Sequence, residues 1–218
     1  MQTAVTWPLF AASLLLPAAT LRWPAAWTYL ALRVGFTIGI SVWLLRHDPD
    51  LLAERMSGVG RPDQARWDKI LLAITAVLFF GWHAAMGFDW REHASPAPAW
   101  LSVGGVLLLL ASFYVFFLAF RENAFLSPAV RIQTDRGHRV VDTGPYGIVR
   151  HPLYAGFALY AVGTALLLDA WPGIAGAVLL IVIVARRAVL EERLLREQLE
   201  GYAAYAERVR YRLVPGIW

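Results

Sequence analysis

Hydrophobic residues in this chain fall into long runs separated by polar segments. Four runs approach the roughly 20 apolar residues that a membrane-spanning helix requires. They lie at 5–21, 23–45, 70–88 and 100–120. A fifth run covers 153–185, which as one helix would be ~50 Å long against ~30 Å of hydrocarbon. The turn-forming sequence Asp169-Ala170-Trp171-Pro172-Gly173 divides it. The pattern therefore predicts about six spanning helices, the last two forming a tight hairpin.

Lys and Arg are distributed unevenly between the predicted loops. The segments 46–69 and 121–150 contain five each, and the tail from 186 onward contains seven. The opposite side has only Arg22 and Arg91. Because cytoplasmic loops are enriched in Lys and Arg, this pattern predicts that both termini and both long loops are cytoplasmic.

Composition agrees with an all-α, polytopic membrane protein. The chain is 58% hydrophobic and only 17% charged, and its net charge of +4 comes from cations beside the spans. This placement argues against nucleic acid as a partner. The absence of cysteine excludes disulfides and zinc–thiolate sites, and we expect no metal. Gly35 and Gly39, in the second span, have the spacing of a close helix–helix contact.

A polar motif lies where the last apolar run begins. Gly144 and Pro145 indicate a turn, followed by Tyr146. Pro152 suits the first position of a helix, because its missing N–H would have no partner there. His151 then falls at the cap, with Arg150 before it. Leu153 and Tyr154 follow in the first turn. The pattern places a cation, an imidazole, a helix N-terminus and a phenol at one membrane boundary.

A second polar motif, Glu191-Glu192, follows the hairpin. Treated as a cytosolic amphipathic helix, the tail places five apolar residues on one stripe. They are Leu195, Leu199, Tyr202, Ala206 and Val209. The two glutamates lie at the edges of this stripe, where a carboxylate needs a cation or hydrogen-bond donors. A hairpin brings its start and its end to the same membrane face, so we expect the two motifs to line one pocket.

Together these motifs resemble the isoprenylcysteine carboxyl methyltransferase and phospholipid methyltransferase superfamily. The resemblance runs from about residue 123 to 215 and rests on Gly-Pro-Tyr-x-x-x-Arg-His-Pro-x-Tyr-x-Gly at 144–156, Glu-Glu at 191–192 and Tyr-x-x-Tyr-x-x-Arg-Val at 202–209. It divides the chain into 1–122, four spanning helices that form a scaffold and give access to an acceptor, and 123–218, a methyltransferase-like region. That second region contains a cofactor loop, the hairpin and the C-terminal helix. Leu199-Glu200-Gly201 replaces the Phe-Gly pair and two acidic residues of the isoprenylcysteine enzymes.

The resemblance implies an integral membrane enzyme that uses S-adenosyl-L-methionine and releases S-adenosyl-L-homocysteine. A lipophilic acceptor would enter from the bilayer, and the active site would face the cytoplasm. The implied cofactor-binding residues are His138, Gly144, Pro145, Tyr146, His151, Pro152, Leu153, Tyr154, Glu191, Glu192, Tyr202 and Tyr205. The implied catalytic residues are Arg150, Glu192 and Arg208, of which Arg208 and Arg150 would face an acceptor carboxylate.

The chemistry of the cofactor is compatible with these residues. An acidic pair suits its ammonium group or ribose hydroxyls, and a helix N-terminus suits its carboxylate. A thiolate or carboxylate acceptor needs only orientation, whereas an amine must also lose a proton.

Two alternatives stay open at this point. One is N-methylation of a phospholipid headgroup, and the other is a non-catalytic membrane scaffold that retains the fold. The acceptor, the oligomeric state, the choice between Glu191 and Glu192 as cofactor contact, and the role of Arg33 are not determined by the sequence.

Overall fold

The computed structural model describes residues 2–93 and 98–218, with side chains from Trp7 onward. These residues contain α-helices and two short 3-10 turns but no strand, so the predicted all-α class is confirmed. The helices are α1 (Gln2–Ala18), α2 (Pro24–His47), α3 (Pro49–Met56), α4 (Arg66–His93), α5 (Ala99–Glu122), α6 (Pro152–Leu167), α7 (Trp171–Gln198) and α8 (Tyr202–Arg208). The 3-10 turns are Thr134–Arg136 and Gly144–Gly147.

Four helices, α2, α4, α5 and α7, are long and apolar enough to cross a membrane. Two further apolar segments are shorter, namely Trp7–Ala18 and α6. At 1.5 Å per residue, the 16 residues of α6 extend ~24 Å, somewhat less than the hydrocarbon thickness. The structure therefore supports a multi-pass membrane protein, and the count of six spans stays a prediction.

The predicted hairpin is present. The first of its helices, α6, ends at Leu167, and α7 begins at Trp171 with Pro172 in its first turn. Asp169 between them has a left-handed backbone, with a φ of 54°. Trp82 of α4 donates from its indole N–H to the Gly173 carbonyl at 2.7 Å, which holds this turn against the bundle.

Close helix packing occurs between α5 and α6. A Cβ added at Gly105 would collide with the backbone of Leu167 and Gly163, and one added at Gly163 would collide with Leu108. The contact predicted at Gly35 and Gly39 is wrong. A Cβ at either position would meet nothing within 4 Å among the described residues, because both lie on a face of α2 that packs against no neighbouring helix.

Arg33 lies in a polar cluster inside the membrane bundle. Its guanidinium donates to the Tyr160 hydroxyl and stacks 3.8 Å from the centroid of the Phe10 ring. The Tyr29 hydroxyl hydrogen-bonds both Tyr160 and His83 Nε2. This network joins α1, α2, α4 and α6. It surrounds the Arg33 charge with hydrogen-bonding groups and an aromatic ring.

The apolar part of α7 reaches Ala185, after which the same helix continues in polar sequence to Gln198. The amphipathic C-terminal helix predicted from the tail is therefore not a single element. Gly201, with a left-handed φ of 80°, allows the chain to turn between α7 and α8. The predicted apolar stripe is nevertheless buried in one cluster, which also includes Val140 of the long loop.

Candidate functional site

A cavity of about 300 Å³ lies at the polar end of the bundle, where α3 and α5 end, α6 begins and α7 extends beyond its apolar part. The loop 123–143 and α8 complete its wall. Ten residues predicted for the site line it. They are His138, Tyr146, Arg150, His151, Pro152, Leu153, Tyr154, Glu191, Tyr202 and Tyr205. The predicted meeting of the two polar motifs is therefore observed.

Arg150 and Glu192 form a buried ion pair. The Arg150 Nε donates to Glu192 Oε1 at 2.7 Å, and its second nitrogen donates to Oε2 at 3.2 Å. His151 Nε2 lies 3.1 Å from the same Oε1. Burial alone would raise the pKa of the Glu192 carboxyl, but the hydrogen bonds from His151 and Arg150 lower that pKa to about 2. The Glu192 carboxylate is therefore ionised and fully engaged by protein groups.

The same ion pair holds the C-terminal tail across the start of α6. Arg150 donates to the Val209 carbonyl at 2.6 Å and to the Arg210 carbonyl at 2.8 Å. The amides of Arg150 and His151 donate to the carbonyls of Tyr211 and Arg212, each at 2.9 Å. The arginine side chain at position 212 also donates to Glu192, at 3.1 Å. The sequence did not indicate this role, because a tail cation resembles any other juxtamembrane arginine.

Glu191 has a different environment from its neighbour. Its carboxylate accepts a 2.6 Å hydrogen bond from the Tyr154 hydroxyl and lines the cavity. Arg187, one helical turn earlier, lies 5.8 Å from the centroid of the Tyr154 ring. That arginine is itself paired with the buried Asp68 at 2.8 Å. The two neighbouring glutamates thus divide their roles, since Glu191 faces the cavity and Glu192 joins the elements behind it.

Four predicted residues do not line the cavity: Gly144, Pro145, Glu192 and Arg208. Arg208 is 61% exposed and forms an ion pair with Asp142 at 2.6 Å, because it lies on the outer face of α8. Gly144 has a φ of 54°, and a Cβ added there would collide with the Glu122 side chain, so this turn packs closely against the end of α5. Glu192 does not line the cavity itself but binds Arg150 and His151, which do.

The long loop is fastened to the first half of the chain by charged contacts that the sequence did not reveal. Arg131 binds Glu54 of α3 at 2.9 Å and also reaches Asp63 and Asp135. Asp68 accepts a hydrogen bond from the Val130 amide at 2.8 Å. α3 itself was not predicted, although Asp48 followed by Pro49 is a recognisable helix start, and Asp48 accepts from the Leu51 amide.

Two polar groups on the cavity wall have no hydrogen-bond partner in the described part of the chain. The hydroxyls of Tyr146 and Tyr202 are buried without a hydrogen bond of acceptable geometry. Burial and the Glu192 and Glu191 charges raise the pKa of Tyr202, so its hydroxyl stays protonated and available as a donor. Burial also lowers the pKa of His138. The Nδ1 of that histidine accepts from the Gln133 amide at 3.3 Å, which leaves the proton of the neutral ring on Nε2.

Comparison with known proteins bears on the same part of the chain. Residues 106–197, from within α5 to the end of α7, match the sequence profile of the Isoprenylcysteine carboxyl methyltransferase (ICMT) family. The resemblance predicted from the motifs is confirmed. The ICMT-like region includes Arg150, His151, Tyr154 and both glutamates, and it ends before α8.

Similar proteins include Protein-S-isoprenylcysteine O-methyltransferase B of Arabidopsis thaliana, with 37% identity over 82 residues. This match covers 37% of the present chain and 42% of the relative, so the chain spans less than half of that protein. A probable protein-S-isoprenylcysteine O-methyltransferase of Oryza sativa subsp. indica is 27% identical over 136 residues, covering 57% of this chain and 71% of the relative. A protein of the same description from subsp. japonica has the same values.

Proposed function

We propose that this protein is an integral membrane methyltransferase that uses S-adenosyl-L-methionine to methylate the carboxylate of a lipophilic isoprenylcysteine-like acceptor or, instead of it, the thiol of another lipophilic molecule. The observation that carries the proposal is the cavity at which Tyr154 and Glu191 of the ICMT-like region meet. The names of the plant relatives point to the same chemistry.

The residues on the cavity wall fit the cofactor. Glu191 offers a carboxylate to its ammonium group or its ribose hydroxyls, and the hydroxyls of Tyr146 and Tyr202 offer unused donors. The N-terminus of α6 opens on the cavity at Pro152 and Leu153, and its dipole favours a carboxylate. A volume of about 300 Å³ lies at the lower end of the range for small-molecule pockets. S-adenosyl-L-methionine would supply a methyl group already activated on a sulfonium.

The protein's own residues would bind and align. Glu191 would hold one end of the cofactor, while Arg150, Glu192 and His151 would keep the start of α6 and the tail in place around it. The enclosing loop would exclude water. Since a carboxylate acceptor is already nucleophilic, alignment in such a cavity supplies much of what the reaction requires.

Methylation of a phospholipid amine is the second candidate, and His138 argues against it. An amine must lose a proton, and a neutral histidine would be the ordinary base. The Nδ1 of His138 already accepts the Gln133 amide, and its Nε2 carries the remaining proton. His151, the other histidine on the wall, is bound to Glu192. Glu191 is the one carboxylate on the described cavity wall, and the proposal gives it to the cofactor.

The distribution of Lys and Arg supports an orientation of the chain in the membrane. We infer six spans with both termini and the cavity in the cytoplasm, because the polar end of the bundle contains most of the Lys and Arg residues. In this arrangement residues 1–122 form the membrane scaffold and 123–218 contribute most of the cavity wall.

The test is a transfer assay on the purified full chain in lipid nanodiscs. Methyl-labelled S-adenosyl-L-methionine is supplied with N-acetyl-S-farnesyl-L-cysteine or with phosphatidylethanolamine. We expect label in a base-labile ester, released as methanol, from the first acceptor only. Base-stable label in phosphatidylethanolamine would establish the second candidate instead. If neither acceptor is labelled and S-adenosyl-L-homocysteine does not bind, the protein is a scaffold.

A further inference from the structure

Arg55, at the end of α3, is a cation on the cavity wall that lies outside the ICMT-like region. Its guanidinium donates one hydrogen bond, to the Leu126 carbonyl at 2.9 Å. It also stacks 4.5 Å from the centroid of the Phe120 ring. Burial and the nearby Arg187 lower the pKa of Arg55 to about 10. The charged form is therefore disfavoured by its surroundings, but the side chain is still charged at neutral pH.

Apart from the exposed Arg139, the other arginines of the cavity wall are neutralised. Arg131 is paired with Glu54, Arg150 with Glu192, and Arg187 with Asp68. Arg55 has no carboxylate within 4 Å among the residues that the structure describes. A partly buried cation without a counter-ion is costly, which makes Arg55 a candidate for binding an anion.

The surroundings of Arg55 point to the kind of anion. Tyr146, whose hydroxyl has no hydrogen bond of acceptable geometry, lines the same cavity. Phe120, on which the guanidinium stacks, belongs to a cluster of apolar side chains between α2, α3 and α5, against which Leu126 and Leu153 pack. These two leucines also line the cavity. Arg55 therefore lies between a polar cavity and an apolar cluster at the membrane end of the site.

We propose that Arg55, assisted by the Tyr146 hydroxyl, recognises the carboxylate of the lipophilic acceptor. The inference rests on the proposed function and names the group that selects its acceptor. The guanidinium fork matches a carboxylate, and the adjoining apolar cluster suits the chain attached to it. Arg208, which the family resemblance suggested for this role, is on the outer face of α8 and already paired. The Arg55 side chain is thus a specificity determinant contributed by the scaffold half of the chain.

The experiment compares two probes on the full chain in nanodiscs, with S-adenosyl-L-homocysteine present. The probes are N-acetyl-S-farnesyl-L-cysteine and its carboxamide, which differ only in the negative charge. The variants are Arg55→Gln, Arg55→Lys and Arg208→Gln. Arg46→Gln is the matched control, because Arg46 is exposed at the end of α2 and does not line the cavity.

We expect the wild-type protein and Arg46→Gln to bind the carboxylate at least about 10-fold more tightly than the carboxamide, and Arg55→Gln to lose this preference. Arg55→Lys should retain part of the preference for the carboxylate. This variant also tests whether the protein folds with a substitution at position 55. Affinity for S-adenosyl-L-homocysteine should change less than about twofold in either variant.

Three results would overturn the inference. In the first, the preference for the carboxylate over the carboxamide disappears in Arg208→Gln and persists in Arg55→Gln. In the second, S-adenosyl-L-homocysteine binding falls in Arg55→Gln, which would assign Arg55 to the cofactor. A wild-type protein that binds S-adenosyl-L-homocysteine but not the carboxylate probe would also refute the role of Arg55, while leaving methyl transfer to another acceptor standing. Only a failure to bind S-adenosyl-L-homocysteine at all would remove the proposed function itself.

Discussion

Arg150 and Glu192 are 42 residues apart in the chain, yet their side chains meet with Nε and Oε1 at 2.7 Å. One precedes α6 and the other lies on α7, seven residues beyond the apolar part of that helix. The pair therefore joins the start and the end of the hairpin at one end of the bundle. By engaging Glu192 completely, it also leaves Glu191 as the carboxylate that faces the cavity.

Replacing Glu192 with Gln should destabilise the fold. The change would leave the buried guanidinium of Arg150 without its counter-ion, and breaking a buried pair in this way costs about 3–5 kcal/mol. We expect a lower midpoint of thermal unfolding in detergent, followed by intrinsic tryptophan fluorescence. Glu197→Gln is the control, because Glu197 is exposed on the same helix. Equal midpoints for the two variants would show that the Arg150 pair contributes little.

The acid stability of the protein should also depend on Glu192. Its pKa in the folded state is about 2, below the ordinary value. Its contribution to the free energy of unfolding is therefore fully present above the pKa of a glutamate in the unfolded chain, ~4.3. That contribution is lost as the pH falls from about 5 towards 2. The wild-type unfolding midpoint should therefore fall more steeply over this range than that of Glu192→Gln, in a thermal unfolding series at stepped pH. Parallel profiles would contradict a depressed pKa.

Tyr160→Phe should weaken the membrane bundle without altering the cavity. The substitution removes the hydroxyl that accepts from Arg33 and hydrogen-bonds Tyr29, and an unsatisfied buried group costs about 1–3 kcal/mol. Tyr114→Phe provides the control, since Tyr114 is 64% exposed on α5. We expect only the first variant to unfold at lower temperature, with S-adenosyl-L-homocysteine affinity unchanged in both. A loss of affinity in Tyr160→Phe would mean that the Arg33 cluster is coupled to the site.

Sequence patterns predicted those structural features that are determined by residues close together in the chain. The apolar runs, the break around Asp169 and the proline at the start of α6 each act within a few residues, and the structure has all three. The meeting of residues 150–154 with 191–192 was also predictable, because a hairpin brings its two ends together. The same reasoning did not separate Glu191 from Glu192, since one residue of helical rotation decides which of them faces the cavity.

Contacts between distant segments could not be predicted in this way. Arg131 with Glu54, Arg187 with Asp68, and the tail carbonyls with Arg150 all depend on tertiary packing, and any of these arginines could equally have been a juxtamembrane cation. Gly35 and Gly39 show the opposite error. Their spacing is typical of a helix contact, but the bundle packs α5 on α6 through Gly105 and Gly163 instead.

The central claim is that Glu191 binds the cofactor in the cavity beside Tyr154. Calorimetric titration of S-adenosyl-L-homocysteine into the wild-type protein, Glu191→Gln and Glu197→Gln tests it directly. We expect saturable binding to the wild type and to Glu197→Gln, and binding roughly 10- to 100-fold weaker to a folded Glu191→Gln, because a charged hydrogen bond contributes about 1.5–3 kcal/mol. Undiminished affinity in Glu191→Gln, or no binding to the wild type, would contradict the claim.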